Sequence, residues 1–346
     1  MNNLFHGKSV WHFGVGRFFA GSLLLTLLLT GCRSDAPVQL YGEAQGTYYS
    51  VQYYDAQQRN LQPQVDSLLA AFDQSASLWV DSSLLRRLNA GLTDNLDDVL
   101  RFLLDSSLYI HDYTQGAFDP RVGRLVQAWG FSFRERSEPD SAMLADMLRA
   151  AHGDIGSNGE RYHRQYDDTE LDFNAIAQGY AADLVGQLLD SYDIHDYLVD
   201  IGGEVVARGT KAHGQSWRVG IERPAASDTS APVVMTAIDL RDASVVTSGS
   251  YRKYYERDGV RYSHTIDPAT GRPVQHSLLS VSVVEREGWL ADAMATAYMV
   301  MGLDSARAFI AAHHDGPGTE AVLFIYDSCG TLASYATPVF EQLIIR

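Results

Sequence analysis

The sequence is poor in cysteine, in positive charge and in long apolar runs, and each shortage excludes something. It has two cysteines, Cys32 and Cys329. If Cys32 carries a lipid, Cys329 has no partner, no disulfide forms, and stability rests on packing. The lack of a Cys cluster argues against a thiolate-bound metal. Lys and Arg number 27 against 43 Asp and Glu, a net charge of -16. Nucleic-acid binding neutralises phosphates with Lys and Arg, so this balance argues against nucleic acid as a partner. After the N-terminus no stretch holds the ~18 uninterrupted apolar residues of a membrane span, and the body reads as soluble. There is no internal repeat and no low-complexity tract. Asp200-Ile201-Gly202-Gly203-Glu204 lacks the glycine spacing of a dinucleotide fingerprint.

The N-terminus carries a targeting pattern. Lys8 and Arg17 precede an apolar run from Phe18 to Leu29, which ends in Leu29-Thr30-Gly31-Cys32. A positive start, a short apolar run and small residues at its end read as a secretory signal. Small residues before a single Cys predict lipoprotein processing, with Cys32 as the lipidated first residue. Residues 1–31 are then a signal peptide, 32–38 a lipidated tether, and 39–346 the folded body. That body, roughly 310 residues, is long enough for one large domain or two.

Patterning predicts an α+β fold with mostly antiparallel pairing. Gly46–Tyr53 is β-branched and aromatic and reads as a strand. Helical spacing marks Val65–Phe72, Asp97–Tyr113, Ser141–Ala151 and Ala175–Tyr192, with Asp172 or Asn174 as cap of the last. Strands are expected at 197–201, 204–208, 217–221, 233–240, 280–284 and 321–326. A hairpin is expected over 253–264, turning at Asp258-Gly259. Trp289–Met301 is apolar nearly all round, which predicts a buried helix; 305–312 is a further helix.

Four constellations could carry chemistry. Asp292 sits among Leu290, Ala291, Ala293, Met294, Ala295 and Ala297, where a carboxylate is costly without a positive partner. Thr296 lies four residues on, hence on the same face. Two oxygens on one face suit a hard cation such as Mg²⁺; the alternative is an Asp that complements the helix dipole. Asp172-Phe173-Asn174-Ala175-Ile176-Ala177-Gln178-Gly179-Tyr180 opens a helix with small residues, suited to close ligand approach or to tight packing. Thr247-Ser248-Gly249-Ser250-Tyr251-Arg252 reads as an anion-binding turn. His264 follows at a hairpin end, as a cleft residue or a structural one. Paired glycines at Gly202-Gly203 mark a bulge or a close approach.

Taken in order, these segments resemble the ApbE family, the FAD:protein FMN transferases. The matching pieces are Gly46-Thr47, Ser77-Leu78-Trp79 with Leu88-Asn89, Gly116-Ala117-Phe118-Asp119-Pro120, Trp129-Gly130-Phe131, Leu171-Asp172 through Gly179-Tyr180-Ala181, Val199 through Gly203, Thr247-Ser248-Gly249, His264 through Pro268 with Thr270-Gly271-Arg272-Pro273, and Ala291 through Thr296. Each is weak alone; nine in register over nearly the whole mature chain are specific. Many members are exported lipoproteins, in keeping with Cys32.

The resemblance implies mostly antiparallel sheets flanked by helices, an architecture related to the T-fold. It implies Mg²⁺ held by the Asp292 carboxylate, the Thr296 hydroxyl and the main-chain oxygens of Ala175 and Ala295. FAD, as substrate, is expected against Gln45, Trp79, Ala117, Phe118, Asp119, Asp172, Gln178 and Ile266, with His264 and Asp292 catalytic. The implied reaction moves FMN from FAD to a Thr or Ser hydroxyl of an acceptor protein and releases AMP. The acceptor would carry a flavinylation motif, as membrane redox subunits do, and the enzyme would be lipid-anchored, facing the periplasm or cell exterior. Trp79 stands where many members have Tyr, and Gln178 where Lys or Glu is frequent; both leave the balance between transfer and FAD hydrolysis open. The alternatives are a Mg²⁺-dependent FAD pyrophosphatase and a non-catalytic FAD-binding lipoprotein. Asp315-Gly316-Pro317-Gly318-Thr319 partly resembles an acceptor motif, but Glu320 follows where a small residue is usual, and it reads as a coincidental loop.

Overall fold

The computed structural model describes residues 36–131, 139–224, 233–250, 254–257, 260–314 and 316–345. The expected signal segment, Cys32, residues 132–138, Tyr251-Arg252 of the expected anion-binding turn and Asp258-Gly259 lie outside these residues.

Eight strands form one sheet in the order β1 (Val38–Ala44), β2 (Thr47–Tyr53), β5 (Tyr197–Ile201), β6 (Glu204–Arg208), β9 (Ala243–Gly249), β14 (Leu278–Glu285), β15 (Ala321–Ser328) and β16 (Thr331–Ala336). Every neighbouring pair is antiparallel, as the sequence predicts. Among the described residues there are also four two-stranded ribbons: β3 (Ile155–Asn158) with β4 (Arg161–Arg164), β7 (Trp217–Glu222) with β8 (Val234–Leu240), β10 (Tyr254–Arg257) with β11 (Val260–Ser263), and β12 (Ile266–Asp267) with β13 (Arg272–Pro273). The helices are α1 (Gln62–Ala76), α2 (Leu84–Asn89), α3 (Asp98–Tyr113), α4 (Gly123–Ala128), α5 (Ser141–Ala151), α6 (Ala177–Ser191), α7 (Gly288–Ala312) and α8 (Pro338–Leu343).

Both faces of the sheet are covered. On one, Tyr49, Val51 and Tyr53 alternate inward from β2 and pack with α1, α3, α6 and α7. On the other, Trp217, Ile221, Ile238 and Leu240 of the β7–β8 ribbon close over Val205, Val245 and Ile325, with Phe340 from α8. A smaller cluster joins Leu125 and Trp129 to Leu144, Met147 and Ile266. Trp129 Nε1 donates to the Gly271 carbonyl at 2.8 Å, which ties the β12–β13 turn to that cluster.

Two expectations need correction. Thr247-Ser248-Gly249 is not a turn but the end of β9, in the middle of the sheet between β6 and β14. The reason is the run before it: Val245 and Val246 face opposite cores, and a strand buried on both sides lacks the alternation that marks strands on a half-exposed sheet. Second, α6 starts at Ala177 and neither Asp172 nor Asn174 caps it. The Phe173 carbonyl accepts both Ile176 N–H (3.0 Å) and Ala177 N–H (2.9 Å), and this tight turn delays the helix by two residues.

Helix α7 is buried as expected. It breaks at Gly302 (φ 75°), beside which His276 Nε2 meets the Met299 carbonyl at 2.8 Å. Helices α6 and α7 cross where Gly179 faces Gly288. A Cβ on Gly179 would lie 2.3 Å from the Gly288 carbonyl oxygen, so only glycine allows this approach.

Candidate functional site

A cleft of about 760 Å³ opens where the β1–β2 turn, the strap before α6, β9, the segment after β11 and α7 converge. Local sequence explains how each part arrives there. Gln45 and Gly46 form a two-residue hairpin turn with φ of 54° and 72°, the positive-φ pair that matches strand twist. Gln45 thereby points into the cleft, and neither atom of its buried side-chain amide has a hydrogen-bond partner among the described residues. Such an amide has donors and an acceptor to offer a polar ligand. After α1, Ser77 Oγ accepts Trp79 N–H at 3.1 Å, and Trp79 stands 56% exposed at the mouth.

The corner after α3 is fixed from behind. Arg121 donates from Nε and Nη2 to the two oxygens of Asp119, each at 2.8 Å. Its Nη2 also donates to His111 Nε2 at 3.0 Å, which leaves the His111 proton on Nδ1, donated to the Phe118 carbonyl at 3.1 Å. Ala117, Phe118 and Asp119 reach the cleft from this braced turn. The strap before α6 is held by Asn89, whose amide exchanges two 2.9 Å bonds with the backbone of Leu171. Asp172 N–H donates to the Pro120 carbonyl (2.8 Å), and Asp172 Oδ1 accepts Asn174 N–H (2.8 Å). Asp172, Ala175 and Gln178 then face the cleft.

At the floor lie Asp292 and Thr296. Asp292 is 5% exposed and forms no ion pair with Lys or Arg among the described residues. Burial pushes its carboxyl well above the ordinary range, and the Asp183 charge adds to this; hydrogen bonding from Gly179 works the other way. Gly179 N–H donates to Asp292 Oδ2 at 3.1 Å. Gly179 is the third residue of α6, so its N–H is one of the first-turn donors without a partner inside the helix. Ala175, just before the helix, lines the cleft with Asp292 and Thr296. Thr296 Oγ1 is 3.3 Å from Ser248 Oγ.

Among the described residues the wall carries seven carboxylates, Asp73, Asp119, Asp172, Asp200, Glu204, Glu222 and Asp292, of which Asp119 is paired with Arg121. Among the described residues Arg218 is the one fixed cation there. Burial raises the carboxyls of Asp73 and Asp200, and burial, with Asp200 alongside, pushes the Tyr48 hydroxyl up to about 12. A phosphate entering this field needs an accompanying cation. Carboxylate, hydroxyl and main-chain oxygens are the donor set of Mg²⁺, so Asp292, Thr296 and Ala175 fit that ion.

The cleft therefore gathers Gln45, Trp79, Ala117, Phe118, Asp119, Asp172, Ala175, Gln178, His264, Ile266, Asp292 and Thr296. Ala295 does not line it; it is fully buried within α7. The ApbE family model matches residues 45–323, most of the chain and all of these positions. The chain belongs to the ApbE family. Its relatives include the FAD:protein FMN transferases of Vibrio cholerae, 32% identical over 338 residues (94% of this chain, 98% of that one), and of Escherichia coli, 32% identical over 319 residues (88% and 89%). Among solved structures, the flavin transferase ApbE from Vibrio cholerae superposes with a TM-score of 0.76 at 30% identity, covering 89% of this chain and 99% of that one. The apo Pseudomonas stutzeri flavinyl transferase ApbE gives 0.76 at 32%, covering 89% and 96%.

Sequence reasoning missed Tyr48, Asp73, Arg218 and Glu222, which line the cleft, and Asp183, which lies outside it. Asp183 of α6 is 4% exposed and reaches the N-terminus of α7. The signal was present: Asp183 lies among Ala181, Ala182, Leu184 and Val185 much as Asp292 lies among its apolar neighbours.

Proposed function

We propose that this ApbE-family chain is a FAD:protein FMN transferase that works with Mg²⁺, modifies a Thr or Ser hydroxyl of an acceptor protein and releases AMP. The observation that carries this reading is that Asp292, Thr296 and Ala175 line one large acidic cleft, with the Asp292 carboxylate buried and without a Lys or Arg partner among the described residues. Names borne by relatives across 94% of the chain support the transferase part.

The chain's residues divide the work as follows. Asp292, Thr296 and Ala175 would hold Mg²⁺, which neutralises charge on the pyrophosphate when bound. The unpaired Gln45 amide, the braced Phe118-Asp119 corner and the Trp79 face would grip the flavin nucleotide and exclude water. The acceptor hydroxyl oxygen forms a bond to the FMN-side phosphorus, and the bond from that phosphorus to the bridging oxygen breaks, with AMP as leaving group. His264, on the wall of the same cleft, would accept the hydroxyl proton or orient the hydroxyl.

Product analysis tests the reading. FAD, Mg²⁺ and an acceptor domain should yield AMP and flavin-bearing acceptor in equal amounts. Free FMN with AMP and an untouched acceptor points instead to a pyrophosphatase, and FAD left intact to a binding protein. We also propose export and lipidation at Cys32, supported by the Leu29-Thr30-Gly31-Cys32 pattern. Mass spectrometry of the mature N-terminal peptide checks this; an unlipidated peptide beginning elsewhere contradicts it.

A further inference from the structure

We propose that Asp183 is a positioning residue for the metal-holding face of α7, acting through that helix's N-terminus. The inference rests on the Mg²⁺ reading above.

The geometry is a reciprocal exchange between two crossing helices. Asp183 Oδ1 accepts Gly288 N–H at 2.8 Å and Oδ2 accepts Trp289 N–H at 2.9 Å. These are the first two N–H groups of α7, and the residue before the helix, Glu287, supplies no side-chain cap. The cap comes from α6 instead. In the other direction, Asp292 of α7 accepts Gly179 N–H of α6. On each helix the acid and the glycine are four residues apart, Gly179 with Asp183 and Gly288 with Asp292, so each pair shares one face. Between them the backbones abut: a Cβ on Gly288 would lie 2.7 Å from the Gly179 carbonyl oxygen.

Each carboxylate thus holds the partner helix's backbone, and the glycines set the spacing. A helix gains 1.5 Å per residue along its axis, so a slip or rotation of α7 carries Asp292 and Thr296 away from Ala175. The Asp292–Gly179 bond alone cannot prevent this, because Asp292 must also face the metal. Asp183 faces no ligand and is free to fix α7. Both its oxygens accept N–H donors, a task for a carboxylate. Asn in its place would turn an amide N–H₂ toward one of the α7 donors.

The test compares the full chain with Asp183→Asn and Asp183→Ser at about pH 8, where the carboxylate is charged. Mg²⁺ binding is read by calorimetry in the presence of FAD, below the melting temperature of each protein, with FAD affinity in EDTA as control. Positioning predicts that Asp183→Asn stays folded, binds FAD in EDTA as the wild type does, and needs about tenfold or more Mg²⁺ for half-saturation. Asp183→Ser, which keeps one acceptor, should weaken Mg²⁺ binding less, and it decides the question if Asp183→Asn does not fold. A variant with a lower melting temperature but an unchanged Mg²⁺ titration would overturn the proposal and make Asp183 purely structural. A wild type that binds no Mg²⁺ would instead overturn the metal reading itself, and the inference with it.

Discussion

Gly179 N–H donates to Asp292 Oδ2 across 3.1 Å, and this bond ties the helix that opens the cleft to the helix that floors it. It gives a first-turn amide of α6 a partner and orients the Asp292 carboxylate. A Cβ on Gly179 would meet the Gly288 carbonyl at 2.3 Å and Asp292 Cβ at 2.9 Å. Gly179→Ala should force the helices apart, cost ~1–3 kcal/mol of stability and weaken the thermal stabilisation by Mg²⁺ and FAD. Thermal melts with and without both ligands check this; an unchanged response means that the crossing does not shape the proposed metal site.

His264 lies on the cleft wall with Phe131 edge-on, ring centroids 6.3 Å apart. His264→Ala should leave FAD affinity within about twofold while transfer falls by ~10²–10⁴, the range of general acid–base catalysis. Equilibrium FAD binding and single-turnover transfer separate the two effects. Full retained transfer contradicts a role for His264 in proton transfer or hydroxyl orientation.

The Gln45 amide, buried and without a partner among the described residues, is unfavourable in the free protein and useful once a ligand pairs with it. Gln45→Ala should therefore leave the melting temperature of the free protein unchanged or higher. The same change should weaken FAD binding by about 1–2 kcal/mol, roughly 5- to 30-fold. Equal FAD affinity in the two proteins would show that the amide does not contact the nucleotide.

Burial pushes the Asp183 carboxyl from 3.8 up to about 7. A folded state whose acid has a raised pKa holds a proton that the unfolded chain has already released, so stability falls as pH rises between those values. The metal-free protein should gain stability as pH is lowered from about 7.5 to about 5.5, with Asp183 contributing up to about 1.4 kcal/mol per pH unit. Burial raises Asp292 as well, and the two acids titrate as a pair, so Asp183→Asn removes one of the two groups and should lessen that slope. Chemical denaturation across this range reads it directly; equal slopes for the two proteins would deny the buried ionisation.

Thr319 carries the resemblance to an acceptor motif, yet it is buried, with Oγ1 within 2.9 Å of the His313 carbonyl and 2.7 Å of that of Gly316. A hydroxyl so enclosed is not presented for modification. Incubation with FAD and Mg²⁺ alone should leave the mass of the chain unchanged, and one added FMN on Thr319 would contradict this.

The sequence made the antiparallel α+β class and the cleft residues legible because motif order survives where pattern is ambiguous. Strands 197–201 and 204–208 were readable from alternation and the Gly202-Gly203 turn between them. β9 was not, since both faces of Val245-Val246 are covered and its last residues resemble a turn. Nor was β1, whose residues alternate weakly at the sheet edge, although it begins at Val38 and supplies the turn that presents Gln45. Asp292 was readable as a charge in an apolar helix. Its link to Gly179, and the matching link from Asp183 to Gly288, depend on a helix crossing between segments more than a hundred residues apart, which no local pattern encodes.

The most direct test of the central claim is the intact mass of an acceptor domain after incubation with the full chain, FAD and Mg²⁺, beside Asp292→Ala. The expected result is an acceptor heavier by one FMN with the wild type and an unmodified acceptor with Asp292→Ala. Equal modification by both proteins would contradict it, because flavin transfer would then proceed without the carboxylate on which the proposed metal site rests.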